Sequence, residues 1–100
     1  MKNYVLTYHS NQTTPPSADA LKDWNQWFED QGDKIVDGGN PIMGAKMVVR
    51  DGKAEEDKTD LIGYSIIKAK DMDEAVEMVK TNPLASAPGG AVRIYETGQM

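Results

Sequence analysis

Two stretches of helical periodicity are interleaved with segments that alternate with a period of two, and their order along the chain leaves few folds open. Residues 3–8 alternate, with Tyr4, Leu6 and Tyr8 on one parity and Val5 and Thr7 on the other, which predicts a first strand. Residues 10–16 are polar and end in Pro15-Pro16, a pair that forbids a continuing ladder, so a loop is expected. Ser17 suits an N-cap. Beyond it Ala20, Leu21, Trp24, Trp27 and Phe28 share one side of a helical wheel, opposite Asp23, Gln26 and Asp30, and the helix should end near Gly32. Lys46 to Arg50 has strand character, Asp51-Gly52 is a hairpin signal, and the charged run from Lys53 to Asp60 reads as a solvated hairpin arm. Residues 61–67 form a further strand, apolar on both parities except at Gly63 and Ser65. Asp71 and Glu74 have capping-box spacing before the stripe Met72, Ala75, Val76 and Val79, and Pro83 should stop that second helix. Pro88-Gly89-Gly90 then turns the chain into a last strand at residues 91–96.

The order β-α-β-β-α-β predicts one α+β domain over residues 1–100 with the ferredoxin-like arrangement: a four-stranded antiparallel sheet carrying two helices on one face. Several strands are apolar on both parities, so a monomer would leave an apolar sheet face uncovered, and a homodimer is expected.

Composition narrows the function. Sixteen acidic residues against eleven basic ones give a net charge of -5, which repels phosphate backbones and anionic membranes, so neither nucleic acid nor membrane is expected as a partner. Without cysteine there is no disulfide, thiolate nucleophile or cysteine-ligated metal, and His9 is the only histidine. No metal site and no cofactor is expected. The apolar run at the start is too short for a signal peptide and no stretch reaches the length of a membrane span, which suggests a cytoplasmic protein.

Few residues carry chemistry. His9, at the end of the first strand, is either a proton-transfer group or a solvated strand end. In Asp37-Gly38-Gly39-Asn40-Pro41 the glycines permit unusual backbone, and Asp37 and Asn40 either face a pocket or satisfy the turn's own amides. Tyr64, Ser65, Arg93, Tyr95 and Glu96 are read either as the lining of a polar-tipped cavity or as interface residues. The acidic clusters at residues 55–57 and 71–74 match no metal motif and read as solvated charge and capping. Trp24, Trp27 and Phe28 are assigned to the core, and no phosphate loop, dinucleotide fingerprint or nucleophile elbow occurs.

Taken in order, Tyr4-Val5-Leu6, Trp27-Phe28, Val36-Asp37-Gly38-Gly39-Asn40-Pro41, Gly63-Tyr64-Ser65-Ile66-Ile67-Lys68-Ala69, Asp73-Glu74-Ala75-Val76 and Val92-Arg93-Ile94-Tyr95-Glu96 resemble the YCII-related family over nearly the whole chain. The resemblance implies a dimeric α+β barrel, the architecture of small heme-degrading and quinol monooxygenases and of muconolactone isomerases. It also implies that Gly38-Gly39-Asn40-Pro41 lies beside a cleft between the sheet and the first helix. Some members carry a histidine early in the first helix and an Asp-Pro after the second, proposed as a catalytic pair. Leu21 and Asn82-Pro83 stand at those places here, and neither leucine nor an asparagine amide is a general base, so that chemistry does not transfer. What the residues support is a small organic ligand bound by Asp37, Gly38, Gly39, Asn40 and Tyr64, or alternatively a small isomerase, lyase or cofactor-free monooxygenase-like enzyme in which Asp37 or His9 moves a proton.

Overall fold

A computed structural model describes residues 1–11 and 17–98, so most of the loop expected at residues 10–16 lies outside the described residues. The elements run β1 (Lys2–Ser10), α1 (Ala18–Gln31), a single 3-10 turn (Gly32–Lys34), β2 (Ile35–Asp37), β3 (Met47–Arg50), β4 (Lys53–Glu56), β5 (Leu61–Ala69), α2 (Met72–Lys80) and β6 (Gly90–Glu96). Four strands form an antiparallel sheet in the order β2-β5-β1-β6.

The strand from residues 46–50 does not join that sheet, contrary to the expectation from its pattern. β3 and β4 make a separate two-stranded ribbon closed by Asp51 and Gly52, whose φ angles of 54° and 75° are those of a tight hairpin turn. The place beside β5 is already taken. Ile35 and Asp37 pair with Ile67 and Ile66 across a bulge, and the chain returns to the same edge at Pro41, which bridges to Gly63. Three strand residues that look like a lead-in to a turn thus complete the sheet.

The β1 alternation decides which face is covered. Tyr4, Leu6 and Tyr8 are buried with Ser65, Ile67 and Ala69 of β5, and Trp27, Ala75, Met78 and Val79 of the helices join them in one core. Val5, Thr7 and His9 point to the other face, which no element covers among the described residues. Ser17 caps α1 by accepting from the Ala20 N–H, and Asp71 caps α2 by accepting from the Glu74 N–H at 2.9 Å. Glu74 in turn accepts from the Lys70 N–H and from Lys34 Nζ, and those two partners hold its carboxyl below the usual glutamate range.

Trp27 is the anchor of α1. It is 3% exposed and its indole N–H donates to the Met78 carbonyl and to Thr81 Oγ1, which ties α1 to the end of α2. Trp24 and Phe28 pack against the same core at its rim, with the Trp24 ring edge-on to Tyr8 at 4.8 Å. Leu21, placed on the apolar stripe by the wheel, is 51% exposed. It lies about 120° around the helix from Trp27, outside the arc that reaches the sheet. Truncating Trp27 to alanine should cost about 3 to 5 kcal/mol in urea unfolding, whereas Leu21→Ala should stay within about 0.5 kcal/mol; equal effects at the two positions would contradict this packing.

Candidate functional site on the open sheet face

The polar groups with chemical capacity gather on the uncovered face. The ladder between β1 and β5 slips by one residue between Tyr8 and His9, so that His9 faces Leu61 and not Ile62. Such a bulge re-aims the side chain beside it. The Ser10 N–H donates to the Asp60 carbonyl at 3.0 Å, which carries the pairing past the bulge and brings Asp60 to the histidine. His9 Nδ1 lies 2.7 Å from Asp60 Oδ1, and Nε2 lies 2.9 Å from Thr7 Oγ1. With the neutral ring protonated on Nδ1, Asp60 accepts that proton's hydrogen bond and Nε2 presents its lone pair to the Thr7 O–H. The imidazole is only 13% exposed while Asp60 is 58% exposed, and the hydrogen bond from His9 holds the Asp60 carboxyl below the usual aspartate range. An imidazole hydrogen-bonded to an orienting carboxylate is the geometry on which general-base catalysis depends.

The register adds neighbours. Thr7 is flanked by Tyr64 on β5 and by Arg93 on β6, so the three share one row across the face. Asn40 extends the row, donating through Nδ2 to the Tyr64 hydroxyl at 3.2 Å. One row toward the start of β1, Val5 stands between Ile66 and Tyr95 and makes an apolar floor. Ser65, grouped with these residues by sequence, points the opposite way. It is fully buried, accepts from the Tyr8 hydroxyl and donates to the Gly38 carbonyl, both at 2.8 Å. Burial pushes the Tyr8 phenol up to about 12 against the opposing effect of Ser65.

Of the predicted turn, Asn40 reaches this row and Asp37 does not contact it. Asp37 is exposed and its carboxylate accepts from the Gly39 N–H at 2.8 Å, closing the turn on itself. Gly39 has a φ of 77°, and a Cβ there would run into the Tyr64 carbonyl, so its role is close approach to β5. The space between β1 and α1 is occupied by the rings of Tyr8, Trp24, Trp27 and Phe28. Two concavities lie elsewhere: one of about 300 Å³ between α1 and the turn after α2, lined by Asp23, Gln26, Trp27, Asp30, Thr81 and Pro83, and one of about 570 Å³ at the base of the ribbon. Neither is lined by Asp37, Gly38, Gly39, Asn40 or Tyr64.

Comparison with known families matches the model of the YCII-related domain over residues 1–100. The chain belongs to the YCII-related family. None of the curated proteins matches it. In this YCII-related domain Leu21 is on the surface, while Asn82 is fully buried, its Oδ1 accepting from the Leu84 N–H and its Nδ2 without a partner among the described residues. Among those residues no group of three histidine, aspartate or glutamate side chains could hold a metal, and no helix is long and apolar enough to cross a membrane.

Asp60, Thr7 and Arg93 complete the His9 constellation, and the sequence reading assigned Asp60 to a solvated arm. The signal for it was the antiparallel pairing itself, which sets the end of β1 beside the start of β5. Because the Asp60 carboxyl is depressed in the folded state, its contribution is present above the ordinary aspartate range and is lost as pH falls through the folded value. Asp60→Asn should therefore lower the melting temperature at pH 6, and the gap to wild type should close as pH falls from about 4 to 2. A gap that is constant with pH would show that the carboxylate charge is not what His9 holds.

Proposed function

We propose that this YCII-related domain is a homodimeric α+β barrel whose open sheet faces pack together and enclose a site where His9 transfers a proton on a small organic ligand. The observation that carries the proton-transfer reading is His9 held between Asp60 and Thr7. With the β3–β4 ribbon set aside, the strand order supports the ferredoxin-like arrangement. Dimerisation is supported by the apolar residues of the open face: Val5 stands between Ile66 and Tyr95, and Tyr95 is 50% exposed. Replacing Val5 with aspartate would set an unpaired charge in the centre of the joined faces. Sedimentation should report a dimer for wild type and a monomer for Val5→Asp; a wild-type monomer at micromolar concentration rejects the assembly.

The chemistry asked of the site is modest. His9 Nε2 takes a proton from a carbon beside a carbonyl, the imidazolium is stabilised by Asp60 and exchanges its proton with solvent, and a proton is then returned to the ligand, so nothing is oxidised or reduced and no cofactor is required. Tyr64, whose oxygen already accepts from Asn40, has its own O–H free to polarise a developing enolate. Deuterium uptake from D2O by phenylpyruvate and by the neutral ketone phenylacetone, followed by NMR, tests this reading. Wild type should accelerate uptake, and His9→Gln should reduce the acceleration by about 10²- to 10⁴-fold. No wild-type acceleration with either compound, or full activity in His9→Gln, rejects it.

A further inference from the structure

Arg93 stands out among the cations of this chain by its place. Only Lys2, Lys34 and Lys80 form an ion pair among the described residues, each with a glutamate, so Arg93 shares the lack of a side-chain partner with seven other lysine and arginine residues. Its position is not random. It is the direct cross-strand neighbour of Thr7, whose hydroxyl meets His9 Nε2, and Tyr95 two residues on shares its face with Val5. The carboxylate close enough to feel its charge is Asp60, which is already engaged by His9 at 2.7 Å. A guanidinium is a rigid fork of donors that matches a carboxylate, and a second layer packed over this face would strand it unless an anion arrived with the ligand.

We infer that the open face recognises small organic acids with an apolar body, Arg93 holding the carboxylate while the body lies over Val5, Ile66 and Tyr95. This rests on the reading of the open face as the ligand site and adds the ligand's chemical class. Arg93 is thereby a binding residue and His9 the proton-transfer residue, two roles that separate experimentally.

The probes are phenylacetate and its neutral isostere phenylacetamide, bound at pH 8.5, above the range in which histidine changes charge, and measured by calorimetry on wild type, Arg93→Gln, Arg93→Lys and His9→Gln. Wild type should bind the acid at least tenfold more tightly than the amide. Arg93→Gln should erase that preference by weakening the acid alone, Arg93→Lys should keep part of it, and His9→Gln should keep it in full. Thermal melts establish that each variant is folded. Equal binding of acid and amide by wild type, no measurable binding of the acid, or an undiminished preference in Arg93→Gln overturns the inference. So does dissociation of the dimer by Arg93→Gln with no acid preference in wild type, because the guanidinium then serves the subunit contact. An Arg93-dependent preference for the acid without deuterium uptake leaves the anchor standing and removes only the proton-transfer reading.

Discussion

The register of β1 between β5 and β6 is the constraint from which the remainder follows. β1 is the strand that both long strands share, and its alternation assigns Tyr4, Leu6 and Tyr8 to the helices and Val5, Thr7 and His9 to the uncovered face. A slip by one residue would exchange the two sets, burying a histidine under the helices and exposing two tyrosines. The rings make that exchange costly, since Tyr8 is locked at once by Trp24 and by the Ser65 hydroxyl. Stability on one face therefore fixes the polar constellation on the other.

The two faces are joined through backbone. The buried relay from Tyr8 through Ser65 to the Gly38 carbonyl pins the turn after β2 against β5, and Gly39 lets the two backbones approach where any side chain would collide. That approach sets Asn40 where its amide reaches Tyr64 on the opposite face. The turn is thus shaped by the interior and read out on the exterior.

Much of this architecture was legible from periodicity. The helix limits, both N-caps and the Asp51-Gly52 turn follow from local chemistry that each segment carries in itself. β2 was not legible, because Ile35–Asp37 is too short to show alternation and its partner is about thirty residues away. A still longer separation hid the candidate site. Asn40 and Tyr64 were identified for their polarity, but Asp60 meets His9 only through a bulge, and Asp37 spends its carboxylate on its own turn, a use that sequence spacing allows equally well.

Pro41 has a further consequence. The residues on either side of it turn inward, Asn40 accepting from the Tyr64 N–H and Ile42 donating to the Ile62 carbonyl. The amide of residue 41 is thereby directed away from the sheet, at the margin where another chain's strand would be added. Proline has no hydrogen there to donate, and the bulge before it breaks the ladder a second time. Sideways addition of a strand at this margin is blocked at the level of single backbone bonds.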